Sequence, residues 1–476
     1  MSVSARHPDY NFLLPYLVEA NDCYLGQKHI KSPEKAETYL PPTSRMREIA
    51  PKDGVLTSPV YKDYLFRGKF YSLFRGGVRG SLGVMHQKKI NPRLPLNMQY
   101  LIDDCTMDGQ SMQGFVEELT RLVLIDGKVV IAVGISPRDG LPRFEAYSAT
   151  SNINWFGETV VFEENVSLVD DFAHKNELNH RVLTVIGDEF GSPVYAGGLF
   201  AGDDYNEQGL IVPTFQGRPS NELQVSFINA NNITRNVDIP PLTPLVDSDI
   251  AIYNLEAARR TGIVQQFNSV PVIKKKKNKA GTQGQDDVST APDEAIVLDE
   301  DEDFKFVSPG MTGFAEIAKI IDKEETGAAQ FIVALLPGST AHAQSADALS
   351  IRASDRASRI HPVVLSAEQG FNQRLRGVAR WMGSNENEVD VSLNKDYSHT
   401  APDIGKLAQF LQIVQDPNSP ATYEDWISYY LSMDVVDKTP EEIREDFEEK
   451  QRRAQEEGQD EDPEGEENEE NSPPTA

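Results

Sequence analysis

Residues Ala334–Gly383 read ALLPGSTAHAQSADALSIRASDRASRIHPVVLSAEQGFNQRLRGVARWMG, and the rest of the chain can be organised around this stretch. It opens with small residues and continues, from about Ala346 to Met382, in residues that favour helix. Apolar residues recur at the three-and-four spacing of a helix with one buried stripe, at Leu349, Ala353, Ala357, Ile360, Val364, Ala367, Phe371, Leu375, Val378 and Ala379. At 1.5 Å per residue this helix is about 55 Å long, which exceeds the usual width of a small domain.

Pro362 lies inside this predicted helix. Because proline lacks a backbone donor and crowds the preceding turn, we expect a bend near residues 359–361. Two ordinary core helices that meet at the proline are an alternative with the same spacing. The Gly/Ser/Ala-rich segment before the helix favours a second interpretation, in which a mobile tip on a long helix presents a functional surface.

The length, composition and net charge of the chain indicate an acidic protein of two to four domains. The chain has 476 residues, 39% of them apolar and 8% aromatic, with a net charge of −28 and a pI near 4.7. That charge argues against a protein that grips nucleic acid over its whole surface, because phosphate binding needs clustered Lys and Arg. A protein past which nucleic acid slides would tolerate it.

Cys23 and Cys105 are the two cysteines, far apart and without metal-ligand spacing, so we expect free thiols in a reducing cytoplasm rather than a disulfide or zinc site. The N-terminus MSVSARHPDY lacks the pattern of a signal peptide, and no apolar run is long enough to span a membrane. These features predict a soluble protein made inside a cell.

The N-terminal third is predicted to be largely helical. Helices are expected at residues 7–24 and 58–82, and the second interleaves aromatic with basic residues. Such interleaving can stack bases and contact phosphate, but the aromatics follow helical spacing, so core packing is favoured. The glycines of residues 76–83 lack the strand and the Gly-Lys-Ser/Thr of a P-loop, and they are interpreted as a helix end.

Asp103, Asp104 and Asp108 form a cluster of carboxylates that can be read in two ways. Three carboxylates within six residues could hold a divalent ion. The calcium-loop spacing is missing, however, and Asp108 precedes Gly109, so turn and helix-cap chemistry is favoured. A helix is predicted after the cluster at residues 111–125, followed by a strand at 128–135.

Residues 143–227 alternate short apolar runs with turn residues, which predicts a mostly β region with hairpins. A helix is predicted at 249–267, with Asp249 near its positive end. Strand-like residues 270–273 and 304–307 then flank an insertion with opposite charge blocks, Lys274–Lys277 and Asp299–Asp303. These blocks can pair within or between subunits, or belong to a simple exposed loop. A helix is expected at 312–325.

The chain ends in a strand-like segment at 388–393, helices near 403–414 and 423–431, and a charged helix at 440–457. The last thirty-six residues carry sixteen Asp or Glu against four Lys or Arg. That composition is typical of a solvated, disordered acidic tail.

This order of parts resembles the portal proteins of tailed bacteriophages, in particular a portal-like family catalogued as a domain of unknown function. The segments that carry the resemblance lie within residues 5–435 and include His7–Pro8, Asp22–Gly26, Thr38–Pro41, Asp108–Gly109, Asp126–Ile131, Tyr147–Ser148 and Asn152–Trp155. None of them is catalytic, and their order is more specific than any one alone. The sequence departs from the family in the uncharged Ala341–Ala346 and in the strong charge of residues 274–303.

The resemblance implies an α+β multidomain portal fold. Its expected parts are a wing (1–248), a first stem helix (249–269), a clip (270–310), a second stem helix (311–332), a tunnel loop (333–345), a long kinked helix (346–383), a wing return (384–415), crown helices (416–457) and a disordered acidic tail (458–476).

The resemblance also implies a structural virion protein without catalytic activity or cofactors. Such proteins form a ring, typically of twelve subunits, at one capsid vertex, through which double-stranded DNA is packaged and ejected without sequence specificity. The expected partners are the major capsid protein, the terminase large subunit and a head–tail adaptor, with no membrane, and the expected location is the virion after assembly in the host cytoplasm. The expected channel residues are Pro337, Gly338, Ser339, Thr340, Ala341, His342, Ala343 and Gln344. The expected clip contacts are Lys274, Lys275, Lys276, Lys277, Asp299, Glu300 and Asp301.

Two alternatives remain open at this point. An enzyme, for instance a metal-dependent nuclease or a hydrolase, would use Asp103, Asp104 and Asp108. The histidines, however, form no HxxxH or HxH pair, and no G-x-S-x-G occurs. Another structural head protein, such as a minor capsid protein or an adaptor, would not need the order of helix, clip, helix, loop and kinked helix.

Overall fold

The computed structural model describes residues 2–170, 173–203, 205–236, 238–267, 270–274, 303–307, 312–335 and 346–395, with single residues between 410 and 426. The chain divides into two units, residues 1–397 and 398–476, and all the helices and strands named below lie in the first. It is an α+β protein, as the sequence predicts. Apart from these single residues, the helices that the sequence placed beyond residue 396 and the acidic tail lie outside the described residues.

The first part is helical. Its helices are α1 (Pro8–Leu25), α2 (Gln27–Ile30), α3 (Ala36–Tyr39), α4 (Ser44–Glu48), α5 (Pro59–Arg67) and α6 (Leu73–Met85). They are followed by strand β1 (Asn91–Arg93) and helix α7 (Met112–Asp126). The predicted helix at 111–125 is confirmed as α7, and its N-cap is Ser111, whose side chain accepts a hydrogen bond from the amide of Gly114.

The prediction of one helix at 58–82 is wrong. The chain breaks between α5 and α6, where Ser72 takes a left-handed conformation with φ of 60°. Tyr253 packs so closely on Gly68 that a Cβ there would lie 2.7 Å from the ring. The glycines interpreted as a helix end lie inside α6, where Gly77 is buried.

The middle of the chain forms two antiparallel sheets. Strands β2 (Lys128–Ile135), β3 (Pro142–Ser148) and β10 (Val225–Asn229) form one sheet in the order β10-β2-β3. The other has the order β4-β5-β6-β7, from β4 (Asn152–Phe156), β5 (Thr159–Asp170), β6 (Ala173–Gly187) and β7 (Pro193–Ala201). Strands β8 (Thr214–Phe215) and β9 (Arg218–Pro219) form a small hairpin. The predicted β region is thereby confirmed.

The last part consists of helix α8 (Thr243–Phe267), strands β11 (Val270–Lys274) and β12 (Asp303–Val307), helix α9 (Thr312–Leu335), helix α10 (Ala346–Met382) and strand β13 (Asp390–Ser392). Strand β13 pairs with β1 and so returns the chain to the N-terminal part. Two predicted boundaries are wrong. Helix α8 begins six residues before Asp249, and α9 continues through the apolar residues after 325 to Leu335.

The main hydrophobic core lies between the three-stranded sheet, α7 and the second half of α10. Phe371 of α10 sits at its centre, with ring centroids 5.7 Å from Phe115 of α7 and 5.4 Å from Phe144 of β3. A smaller core under the four-stranded sheet contains Trp155 and Phe200. Both cysteines are free and buried, and burial raises the pKa of each thiol.

Candidate functional site: the helical hairpin and the long helix

We use the name helical hairpin for α8, β11, β12 and α9, and the name long helix for α10. The root of the helical hairpin is built into the N-terminal part of the fold. Tyr253 and Ala257 of α8 are fully buried, and Tyr253 meets Phe70 edge to face at 5.8 Å. Such large buried aromatic surfaces dominate the packing energy of a contact. The first half of α8 is therefore held in a fixed position.

Asp249 does not stabilise the N-terminus of its own helix, as its sequence position suggested, but that of another helix. It lies in the second turn of α8, and its carboxylate oxygens accept hydrogen bonds from the backbone amides of Leu73 (2.9 Å) and Phe74 (2.8 Å). These are the first two backbone amides of α6, and the side chain of its N-cap residue, Ser72, makes no capping hydrogen bond. Asp249 thus caps another helix, and burial raises the pKa of its carboxyl to about 6 although the amide hydrogen bonds favour the ionised form.

A buried carboxylate paired with two partly exposed arginines marks the place where α8 leaves the core. Glu256 is 1% exposed and its carboxylate binds the guanidinium groups of Arg259, at 2.6 Å, and Arg260. Residues 258–264 beyond it are all at least partly exposed. The charges of both arginines are used to satisfy one buried carboxylate, which would be costly to bury alone.

The far half of the helical hairpin is held by a close helix contact. A Cβ at Gly262 of α8 would lie 2.2 Å from the ring of Phe314 of α9, so the glycine permits the two helices to approach. Along α9 only Ile321 and Ala328 are buried among the described side chains, and Ile320 is 47% exposed. Most of the α9 surface therefore faces outwards from the single chain.

The helices are joined by an antiparallel strand pair, as the sequence predicts. Its register runs from Val270 opposite Val307 to Lys274 opposite Asp303, so the first residue of the basic block and the last residue of the acidic block lie across from each other on the backbone. The remaining predicted clip residues, Lys275–Lys277 and Asp299–Asp301, lie outside the described residues.

The long helix spans Ala346–Met382, as predicted, and the predicted buried stripe is confirmed from Ile360 to Ala379. Pro362 lies within it, and the bend there stays a prediction. Gly370 lets the helix lie directly on β10, because a Cβ would come within 2.4 Å of Ile228. The interpretation of this stretch as core helix is therefore right for its second half.

Two polar side chains of the long helix were missed by the sequence analysis. Arg374 is buried and donates hydrogen bonds to the carbonyls of Leu223 (2.7 Å) and Val225 (3.1 Å), and burial lowers its pKa to about 10. The side chain of Asn372 pairs with both the amide and the carbonyl of Val391, each at 2.8 Å. The available signal was that Arg374 lies next to the buried stripe on the helical wheel.

The predicted channel residues, from Pro337 to Gln344, lie outside the described residues. The aspartate cluster is described. Asp104 binds Arg143 at 2.5 Å and Arg138 at 3.4 Å, and the hydrogen bond from Arg143 holds the pKa of Asp104 below its usual value. Gly109, with φ of 86°, completes the predicted turn. Within the described ranges, no group of three His, Cys, Asp or Glu is placed to hold a metal.

Comparison with known families gives one match. Residues 241–382 match the family described as Domain of unknown function (DUF4055). The match begins two residues before α8 and ends at the last residue of the long helix. It therefore covers the helical hairpin and the long helix together. A comparison with curated proteins found no match. Of the helices in the described part of the chain, none is long and apolar enough to cross a membrane.

Solved structures of gene transfer agent particles contain chains with distant similarity. A chain from the neck of a native particle, computed with C12 symmetry, is 11% identical with a TM-score of 0.38 over 75% of this chain and 88% of that one. A chain from a native virion is 12% identical with a TM-score of 0.36 over 80% and 97%. A chain from the neck of an empty particle, computed with C6 symmetry, is 13% identical with a TM-score of 0.37 over 74% and 90%. These values are too low to define a shared fold or role.

Proposed function

We propose that this chain is a portal-type subunit of a phage or phage-like head, and that identical copies form a ring around a channel for double-stranded DNA. The observation that carries the proposal is the order of parts within residues 243–382: two packed helices joined by a strand pair, followed by a long helix. The family model matches this same segment as a whole, which supports the view that its parts belong together.

The packing of the long helix fits this role. Its second half, from Ile360 onward, is fixed in the core by Phe371 and Arg374. The fourteen residues before Ile360 continue the same helix, a length of about 21 Å at 1.5 Å per residue. A helix fixed at one end can hold the segment that precedes it, Pro337–Gln344, at a constant place in every subunit. In a ring these segments would form the constriction.

The charge of the protein fits passage of DNA. A net charge of −28 and uncharged residues at Pro337–Gln344 would neutralise few phosphates, so DNA would slide instead of being held. A closed ring also needs one face of each subunit to match the opposite face of the next. The exposed side of α9 offers such a face, and the clip at Lys274–Lys277 and Asp299–Asp301 would meet the terminase and later the adaptor.

Electron microscopy of the purified full-length chain tests the ring. We expect rings with an open centre and about twelve subunits, as implied by the resemblance. Single compact particles, or closed shells without a central hole, would contradict the proposal, and shells would favour another head protein.

Deletion of Gly338–Ala343 tests the channel segment separately. We expect normal rings by microscopy and a loss of DNA packaging, because the constriction would be altered while the packed half of the long helix is untouched. Normal rings with unchanged packaging would remove these residues from the channel.

A further inference from the structure

The longest stretch of the sequence without acidic residues lies in the N-terminal part of the chain. Between Asp63 and Asp103 there is no Asp or Glu, although the chain has 74 of them, and the segment carries seven basic residues: Arg67, Lys69, Arg75, Arg79, Lys88, Lys89 and Arg93. It includes α6 and β1 and the break before α6. In a chain with a net charge of −28, this local excess of positive charge needs a physical explanation.

The fold brings part of this segment against α2, which adds two more lysines. The Nζ of Lys31 donates to the carbonyls of Phe66 (3.3 Å) and Gly68 at the break. The guanidinium of Arg75 donates to the carbonyls of Tyr24 and Leu25, immediately before α2. Contacts between residues 35 to 51 positions apart thus join the two basic segments.

We call the resulting surface the basic patch and define it by Lys28, Lys31, Lys69, Arg75 and Arg79. Lys28, Lys69 and Arg79 are exposed, and Arg75 and Arg79 lie one turn apart on the same side of α6. The helix surface between them is open, because a Cβ at Gly76 would meet nothing within 4 Å.

Two carboxylates close to the basic patch are occupied by other partners. Asp63 binds Arg67 at 3.1 Å, and Asp22 is bound by Lys35, His29 and Tyr39. Within the described part of the chain, no salt bridge joins a carboxylate to any member of the basic patch. Burial, and to a smaller extent the charge of Arg260, lower the pKa of Lys31.

The aromatic residues that the sequence interleaves with these cations separate into two groups. Tyr61, Tyr64, Phe70 and Phe74 are buried, as expected for core packing. Phe66 is 84% exposed and Tyr71 37% exposed, and the Nζ of Lys69 lies 4.6 Å from the centre of the Tyr71 ring. The buried ring residues fix the break and α6 on α8, so the cations project from a rigid base.

We propose that the basic patch binds the phosphate backbone of double-stranded DNA. The inference rests on the proposed function, which brings DNA to the protein, but it concerns a surface separate from the channel segment. Duplex DNA carries a phosphate charge about every 1.7 Å along its axis, which suits several cations spread over two helices. Binding would depend on backbone charge and not on base sequence, because phosphate contacts carry no direct sequence information.

Fluorescence anisotropy with the full-length protein and a labelled 30-base-pair duplex, measured between 50 and 200 mM NaCl, tests this. The test variant is Lys69→Gln with Arg79→Gln. The control is Arg47→Gln with Lys52→Gln, which removes the same charge from an exposed arginine and an exposed lysine outside the basic patch. Loss of two phosphate contacts should lower the slope of log K against log salt by about 2 and weaken binding at 50 mM salt by about tenfold or more. The control should bind like the original chain.

The inference would be overturned if the original chain did not bind DNA, or if the test and control variants lost DNA affinity equally. It would also be overturned if the same residues bound poly-glutamate more tightly than DNA, which would indicate an acidic protein partner. Microscopy of the same samples separates this inference from the proposed function. Rings that do not bind DNA through the basic patch would contradict only the inference, whereas patch-dependent binding by particles without a ring would contradict only the proposed function.

Discussion

Two helical glycines should respond in opposite directions to the same substitution. Gly370 of the long helix lies against β10, where a Cβ would come within 2.4 Å of Cγ1 and 3.0 Å of Cδ1 of Ile228. Ile228 is fully buried, so its displacement would disturb a packed core. Gly76 of α6 is also helical, but a Cβ there would meet nothing within 4 Å. The pair therefore separates the effect of packing from the effect of helix propensity.

The magnitudes follow from two opposing terms. Replacing glycine by alanine inside a helix stabilises the folded state by about 0.5–1 kcal/mol, because the unfolded chain loses conformational freedom. Forcing an extra carbon into a packed core costs about 1–3 kcal/mol. We expect Gly76→Ala to raise the free energy of unfolding by about 0.5–1 kcal/mol. Gly370→Ala should lower it by about 1–2 kcal/mol, since the overpacking cost exceeds the helix gain.

Urea unfolding monitored by circular dichroism measures both changes. The urea midpoints are compared on the condition that the slope of the unfolding free energy against urea concentration is the same for each variant. A third variant tests the cause. With Ile228→Ala in the background, the methyl group at Gly370→Ala enters vacated space, so the same substitution should become stabilising. The reasoning is refuted if Gly370→Ala stabilises the original chain as much as Gly76→Ala does, or if the sign does not change in the Ile228→Ala background.

Three further predictions concern buried polar groups. Arg374→Ala should lower the free energy of unfolding by about 2–5 kcal/mol, because two buried carbonyls lose their donor at about 1–3 kcal/mol each. Arg376→Ala, at an exposed position of the same helix, should change it by less than about 0.5 kcal/mol. Equal effects of the two substitutions in urea unfolding would contradict this prediction. Asn372→Ala should remove the hydrogen bond that holds the Val391 amide, so hydrogen exchange at that amide should accelerate. Unchanged exchange would show that this hydrogen bond does not protect the amide. Burial raises the pKa of Asp126 to about 7, so stability should fall as the pH rises from about 4 to 7. Asp126→Asn should flatten this pH dependence of the urea midpoint. An identical pH profile for the variant and the original chain would show that Asp126 is not the titrating group.

The sign of the last prediction follows from proton linkage. A carboxyl whose pKa is higher in the folded than in the unfolded state binds more protons when folded. Its stabilising contribution is complete below the unfolded pKa of about 3.9 and is lost as the pH rises through the folded value. The asparagine keeps an oxygen that can accept the hydrogen bond now made by Asn21, so the variant changes mainly the titration.

The sequence alone determined the parts whose signal is local. The three-and-four spacing predicted the long helix with the bounds that the structure has, and the strand pair at the end of α8 followed from its apolar runs and charged flanks. The acid-free segment is likewise visible in the sequence. These predictions hold because helix periodicity and charge are properties of neighbouring residues.

Only the tertiary structure decided which residues meet across the chain. Asp249 was read as serving its own helix, yet it caps α6 from a position 176 residues beyond Leu73. Gly68 ends α5 where Tyr253 presses against it, and Arg374 finds its acceptors about 150 residues earlier in the chain. The physical reason is that caps, close backbone contacts and buried donors are satisfied by whichever group packing brings near, and no local pattern of residues records that partner.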